Sequence, residues 1–479
     1  MFKFTPKIHN SIKNIIDDKE FLFDVIDCYG SPCNVLMPEN LDENVRSFCD
    51  VFRRNNVIGK IFYAHKCNKS KALIKQMLKN NICIDVASYN ELKDALVCGF
   101  TGDKIEATGP KNDDFIILGL QHNIIFNVDN QSELETIVKY HKKLGIKKSV
   151  RVLIRLNNFQ STETKIINKV SRFGIPISEF DEVLSFVVSH KDVLNLIGVS
   201  FHLDTVNMME KVIAIENCIG LFEKMFEKGL EPYVLDIGGG FKLNYIESKS
   251  EWNESISELK EDIVSGKNSL SWNGKTFGLN VRDNTLHGTL NIYNYYDELV
   301  KEKFLDAILQ SKLVKYQNRT IAEILSENMI ELYIEPGRSL LDNVGFNVAK
   351  VNFTKKDAKG NTLVGIDMKR SDLLIGEQEM FVDPILVSQK ENADKVDSGA
   401  FLVGNLCMEN DVIFNRKVFF ETMPQKGDLL VFINTAGYFM DFEQSTTLGQ
   451  KVATKVILSQ KENGKYKQYM DEIFNPFKE

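Results

Sequence analysis

The sequence predicts an α/β fold, a closed (β/α)8 barrel with an antiparallel β domain after it, and three observations predict it. From about Ile61 short apolar runs alternate with amphipathic stretches, almost every run ends in polar residues, and after about Gly345 the texture turns to alternating, turn-punctuated segments. The first pattern builds parallel sheets from strand and helix units. The second suits a barrel, whose strand C-termini all open on one face.

The runs are IFYAHKCN from Ile61, ICIDVAS from Ile82, KIEATG from Lys104, IIFNVDN from Ile124, VRVLIRLN from Val150, LIGVSFHLD from Leu196, YVLDIGGG from Tyr233 and ELYIEPGR from Glu331. Between them lie segments such as KALIKQMLKN, SELETIVKYHKKLG and EKVIAIENCIGLFEKMFEKG, with apolar residues three and four apart, the spacing of one helix face. Eight such units in series suggest closure. The polar ends are Lys66, Asp85, Arg155, His202, Gly238 to Gly240, and Glu335 to Arg338. Closure would bring them to one mouth, the expected active site.

NVAKVNFTKK, NTLVGIDM, KVFFETMPQKGDLLVFINTAG and QKVATKVILSQ read as antiparallel strands. CYGSPCNVLMPENL near the N-terminus is expected to add one strand to them. The domains so read are residues 1–40, a segment joining the β domain; 41–342, the barrel, with an insertion at about 242–330; and 343–479, the C-terminal β domain. An insertion that long is expected to be functional, covering the active-site mouth or a dimer surface.

Composition narrows the function classes. With 59 basic and 66 acidic residues the net charge is -7, which disfavours nucleic-acid binding through bulk charge. No apolar stretch approaches the roughly 18 to 20 residues that cross a bilayer, and MFKFTPKIHNSIKNIIDDKE mixes charges throughout, so neither a membrane span nor a signal peptide is expected. The eight cysteines are scattered without a CxxC pair. They read as reduced thiols of a cytoplasmic protein, and no metal site is expected.

Three motifs carry chemistry. LDIGGGF places Gly238, Gly239 and Gly240 directly after a strand, where backbone N–H groups can approach an anion without interference from Cβ. YIEPGRS ends a strand with Glu335 and Arg338, a carboxylate for a heterocyclic nitrogen and a guanidinium for a phosphate. FYAHKCN sets Lys66 at the mouth of the first strand. A neutral amine there can form a Schiff base with a carbonyl. With a histidine able to stack on a ring, these parts describe a site for pyridoxal 5'-phosphate.

The ordered set FYAHKCN, IDVASYNEL, SRFGI, FHLD, LDIGGGF, EPGRS, GNLCMENDVI and GDLLVFINTAGYF resembles the fold-type III pyridoxal-phosphate decarboxylases, the family of diaminopimelate, ornithine/arginine and carboxynorspermidine decarboxylases. The resemblance runs from about Tyr29 to about Phe442 and implies an alanine-racemase-like barrel followed by a β domain. It implies removal of an amino acid's α-carboxylate as CO2 through an external aldimine. It implies too a homodimer with shared active sites, a small amino-acid substrate, and no nucleic-acid or membrane partner.

Carried over by motif, Lys66 matches the lysine that binds the cofactor covalently, Asp85 the aspartate near it, and Arg155 a cofactor-side arginine of the fifth strand. His202 matches the stacking histidine, Gly238, Gly239 and Gly240 the phosphate loop, and Glu335 the acid paired with the pyridine nitrogen. Gly337 and Arg338 match residues bordering the phosphate, and Tyr438 a tyrosine near it. Cys407 matches the cysteine that reaches the neighbouring subunit's site and reprotonates the carbanion.

Two departures mark an atypical branch. Where the family carries an acid after that cysteine to hold the substrate's distal amine, this chain has Met408, with Glu409 one place later and Asp411 beyond. A one-residue shift in a strand reverses side-chain direction. Arg338, Met408, Glu409 and Asp411 are therefore the candidates for substrate contact, and the substrate is diaminopimelate-, lysine- or ornithine-like, or a modified or carrier-bound amino acid. The glycine-serine after the stacking histidine reads Asp204 and Thr205, of which Thr205 keeps a hydroxyl for the phosphate. Two alternatives stand beside decarboxylation, an amino-acid racemase or epimerase on the same fold and an antizyme-inhibitor-like regulator. The Cys407 motif argues against the first; retention of Lys66, Glu335 and Cys407 together argues against the second.

Overall fold

A computed structural model describes residues 2–159, 171–203, 207–376, 378–389, 395–461 and 464–478. The chain divides into two compact units: residues 41–242, 299–340 and 475–479 form one, and residues 1–40, 243–298 and 341–474 the other.

The first unit is the barrel. Its strands are β1 (Gly59–Ala64), β2 (Cys83–Val86), β3 (Ile105–Ala107), β4 (Ile125–Val128), β5 (Val150–Asn157), β6 (Leu194–Ser200), β7 (Val234–Asp236) and β8 (Glu331–Ile334). All pair in parallel, in the order β4-β3-β2-β1-β8-β7-β6-β5, and β5 returns to β4 to close the ring. Helices follow the strands, and Ser70, Ser88, Asn112 and Asn130 start four of them by accepting a backbone N–H of the first turn, which explains why each loop ends on Ser or Asn.

Side chains alternate along a strand, and this period of two lays down the interior. Phe62, Cys83, Ile125, Leu153, Ile197, Val234 and Tyr333 form one buried apolar cluster. Two residues further along their strands stand Asp85, Asn127, Arg155, Asp236 and Glu335. An apolar floor thus carries a polar layer at the strands' C-terminal ends.

The second unit is a β-sheet built around residues 345–356, which pair with 33–36, 362–366 and 429–432. The sheet is mixed, where the alternation predicts antiparallel pairing throughout: 33–36 runs parallel to 454–457, and 362–365 parallel to 400–403. Alternation reports that one face is buried, which holds for either direction; direction depends on the path by which the chain returns. Residues 243–298, read from sequence as the start of a barrel insertion, cluster with this unit, and residues 299–330 return to the barrel. The cause is apolar burial: Leu243, Tyr245, Ile256, Leu259, Ile263 and Tyr295 lie in one core with Phe4, Phe381 and Phe432. No helix among the described residues is long and apolar enough to cross a membrane.

Candidate active site

Lys66 lies in the 3-10 turn His65–Cys67 that follows β1, and its side chain is 36% exposed, so the amine sits at the barrel rim. Its Nζ is 3.9 Å from Asp85 Oδ2 on β2. The other Asp85 oxygen accepts a 2.5 Å hydrogen bond from the Thr108 hydroxyl. Burial, then the nearby charge of Glu335, pushes the Asp85 carboxyl up to about 7, against the pull of Lys66.

Glu335 is buried at the end of β8, with His202 Nδ1 3.8 Å from its Oε2. Burial alone would raise this carboxyl; its contact with His202 and the charge of Lys66 outweigh that and hold it at about 2. Desolvation lowers His202, against the pull of the same glutamate. Glu335 is therefore an anion at neutral pH, set in the polar layer at the barrel mouth.

The glycine loop follows β7. Gly238 and Gly240 adopt φ of 63° and 82°, the left-handed region that glycine occupies without penalty. Close approach constrains all three: a Cβ would fall 2.7 Å from the Phe201 carbonyl at Gly238, 2.6 Å from the Glu335 carbonyl at Gly239, and 2.8 Å from the Leu203 carbonyl at Gly240. Two loop donors are already engaged, for Gly238 N–H donates to Asp236 Oδ1 at 2.8 Å and Gly239 N–H to His202 Nδ1 at 3.2 Å. From behind, the buried Lys211 ammonium donates to the carbonyls of Gly239 at 2.8 Å and Ile237 at 3.2 Å. A cation thus lies against the loop that would receive an anion.

The Arg155 guanidinium lies 4.9 Å from the centre of the Phe173 ring, and Arg172 lies 4.3 Å from the same ring. Gly337 is buried and Arg338 half-buried, both just beyond β8. Thr205 lies outside the described residues. Lys66, Asp85, Arg155, His202, Gly238 to Gly240, Glu335, Gly337 and Arg338 thus all stand at the C-terminal ends of barrel strands, the end at which barrels of this class place their sites.

Cys407, Met408, Glu409, Asp411 and Tyr438 belong to the other unit. Cys407 and Glu409 are exposed, and Met408 is 46% exposed. Asp411 has a different employment from the substrate contact expected of it: it is buried, and its two oxygens accept the N–H groups of Arg370 and Leu406, each at 2.8 Å. It pins the loop that presents Cys407 and Met408. Tyr438 is half-buried at φ 72°, its ring edge-on to Phe442.

The sequence reading passed over Thr108, Asn127, Ser200, Lys211, Glu106 and Asp236. One oxygen each of Glu106, Asp236 and Glu335 lies within 4.8 Å of the other two, and all three residues are buried. Burial first, then mutual repulsion, raises Glu106 and Asp236 well above the ordinary carboxylate range. The signal was present in KIEATG and YVLDIGGG, where a carboxylate interrupts a strand that must be buried on both faces.

The family described as "Pyridoxal-dependent decarboxylase, pyridoxal binding domain" matches residues 40–270. An uncharacterized protein, y4yA, of Sinorhizobium fredii is 29% identical over 88% of this chain and 86% of its own length. A diaminopimelate decarboxylase of Methanocaldococcus jannaschii is 26% identical over the same shares. A crystal structure of diaminopimelate decarboxylase from M. jannaschii, in complex with L-lysine, superposes with a TM-score of 0.70 at 20% identity, covering 94% of this chain and 91% of that one. A Vibrio vulnificus lysine/ornithine decarboxylase in complex with putrescine gives 0.65 at 20% identity, covering 92% and 98%. At such identities these structures establish the shared fold.

Proposed function

We propose, from the premise that this chain belongs to the fold-type III pyridoxal-phosphate-dependent decarboxylases, that it binds pyridoxal 5'-phosphate and releases the α-carboxylate of an amino acid as CO2. The observation that carries the reading is the convergence of an amine, an anionic carboxylate and a glycine loop at one barrel mouth: Lys66, Glu335 and Gly238 to Gly240.

The residues fit the cofactor on grounds of their own. The loop is packed so closely that a Cβ at any of its three glycines would meet a neighbouring backbone carbonyl, and the buried Lys211 ammonium adds positive charge behind it. Glu335 is buried, 3.8 Å from a His202 nitrogen that accepts the Gly239 N–H, and an anion so placed suits a protonated ring nitrogen. Pyridoxal phosphate, when bound, supplies the electron sink that accepts the pair of electrons left as CO2 departs.

The protein's residues do the rest. Lys66 holds the cofactor covalently through its amine, and Asp85 orients that amine. With the cofactor bound, Glu335 would keep a proton on its ring nitrogen and His202 would stack on the ring. The glycine loop, with Thr205, Gly337, Arg338 and Tyr438, would bind the phosphate, and Arg155 would serve as a cofactor-side arginine. Cys407, an exposed thiol, returns a proton to the reacting carbon, and by family resemblance it serves the other protomer of a homodimer. With Met408 in place of an acid and Asp411 engaged by backbone N–H groups, recognition of a distal amine falls to Glu409 or is absent. Diaminopimelate-, lysine- or ornithine-like substrates and modified or carrier-bound amino acids remain the candidate class. None of the eight cysteines forms a disulfide, which suits a reducing compartment, the cytoplasm.

The test is CO2 release and amine formation from L-, D- and meso-amino acids, with the cofactor's visible absorption followed alongside. Turnover that Lys66→Ala abolishes supports the proposal. Exchange of the α-hydrogen in heavy water with the carboxylate kept would replace decarboxylation by racemisation. No cofactor absorption in the wild type would sink the reading and favour a regulator.

A further inference from the structure

Beneath Glu335 the polar layer continues into the barrel. Glu106 stands on β3 with neither oxygen exposed; its Oε1 accepts a 2.7 Å hydrogen bond from the Asn127 amide on β4, whose own carbonyl accepts the Ser200 hydroxyl of β6 at 2.6 Å. That chain fixes the carboxyl and leaves Oε2 buried with no donor. Asp236 on β7 repeats the pattern, with Oδ1 taken by the Gly238 N–H and Oδ2 buried and unmatched. One oxygen of each carboxyl lies within 4.8 Å of the other, and carboxylates that close in a dry interior repel unless a proton lies between them. Around Glu106 the titratable and charged groups of the barrel are Asp85 on β2, Lys111 beside Asn127, Asp236 on β7, Tyr333 and Glu335 on and beyond β8, and Lys211 behind the glycine loop, with Lys66, Arg155 and His202 at the rim. Lys111 donates to the Asn127 backbone carbonyl and Lys211 to those of Ile237 and Gly239, so protons are left to neutralise the lower carboxyls.

We infer that Glu106 is a positioning residue for Glu335: it stays protonated and donates to Asp236, which is protonated in turn and donates to Glu335, so that the stack carries one negative charge, at its top. This rests on the functional reading above, which gives Glu335 its task. The upward displacement of Glu106 and Asp236 by burial and by the charge of Glu335 agrees with both being protonated. Glu106 acts through Asp236 and Glu335 and touches no reacting atom. Its consequence is that the charge facing the ring nitrogen is set by three residues.

Two measurements test this. Infrared spectra of the cofactor-free protein at neutral pH are expected to show the carbonyl stretch of un-ionised carboxylic acid, reduced in Glu106→Gln; absence of that band in the wild type overturns the inference whatever the protein binds. In the second, pyridoxal phosphate is titrated into folded wild type, Glu106→Gln and Glu106→Leu. Gln keeps a donor towards Asp236 and is expected to bind within about threefold of wild type, whereas Leu removes it and is expected to weaken binding by about tenfold, the scale of one hydrogen bond. Glu106→Leu binding as tightly as wild type overturns the inference; if Leu does not fold, the infrared comparison with Gln decides. Failure of the wild type to bind the cofactor sinks the functional reading and leaves the infrared result standing.

Discussion

Replacing Gly239 by alanine is the sharpest test of the cradle. The residue's backbone angles suit any L-amino acid, so its cost is purely one of space. The added methyl would sit 2.6 Å from the Glu335 carbonyl oxygen and 3.2 Å from His202 Cε1, where ordinary contact begins at 3.4 Å. About 0.8 Å must therefore be found at a backbone atom. Glu335 N–H also bonds the Gly238 carbonyl at 3.0 Å, so loop and strand end must part together, carrying the acid and the histidine with them. Overpacking of this kind costs about 2 kcal/mol. If that cost falls on the geometry the cofactor needs, affinity drops by about 30-fold. The assay is equilibrium titration of cofactor-free protein with pyridoxal phosphate, alongside its thermal midpoint. Gly220→Ala serves as control: it lies within the helix Met208–Glu227, its Cβ would come no nearer than 3.7 Å to Tyr316, and alanine there is expected to stabilise by about 0.5 kcal/mol. Gly239→Ala binding within about threefold of wild type, with an unchanged midpoint, would refute the close-approach reasoning.

Other substitutions probe different levels of the structure. Gly198→Ala on β6 would bring a methyl within 1.8 Å of the Val234 carbonyl on the neighbouring strand, so a loss of about 3 kcal/mol in urea unfolding is expected, and near-wild-type stability would show that the strands can slide apart. Asp85 is raised from 3.8 to about 7 in the folded protein, so its contribution to stability is complete below the lower value and lost as pH rises through the upper one. The thermal midpoint of the cofactor-free protein should therefore fall as pH rises from 3.8 to about 7, and Asp85→Asn should flatten that fall; an unaltered slope would contradict the assignment. Cys407→Ala should lower kcat by about 100-fold and leave cofactor affinity unchanged, since the thiol is assigned proton delivery alone; equal losses in both would give it a different part.

The barrel was legible because its periodicities are short. Eight apolar runs, each ending in a polar residue, announce parallel strands that share a mouth, and the structure closes them in that order. Lys66, His202 and Glu335 could be picked out because they stand at strand ends inside distinctive motifs. Glu106 and Asp236 stand within β3 and β7 and escape notice, since one carboxylate between apolar neighbours announces burial without announcing its partners; those come from β4, β6 and β8, far off in sequence. Asp411 failed for the converse reason. Its spacing from Cys407 suggested a ligand, but what it binds is backbone N–H groups at Arg370 and Leu406, which no side-chain pattern reveals. The parallel pairs in the sheet depended on chain path, and the grouping of residues 243–298 on a core whose other members include Phe4 and Phe381.

The strand Cys33–Leu36 has a bearing on how the chain is made. Made before either partner, it pairs with residues 345–348 on one side and 454–457 on the other. Its backbone groups must therefore wait, unmatched, until those later segments have been synthesised. The barrel's ring likewise stays open until Glu331–Ile334 arrives to join β7 to β1. Neither unit is a continuous stretch of sequence, so a nascent chain holds two unfinished sheets with open edges, the condition in which intermediates persist and self-association competes. Folding of this protein should accordingly be slow for its stability, governed by long-range pairing, and sensitive to whatever shields those edges during translation.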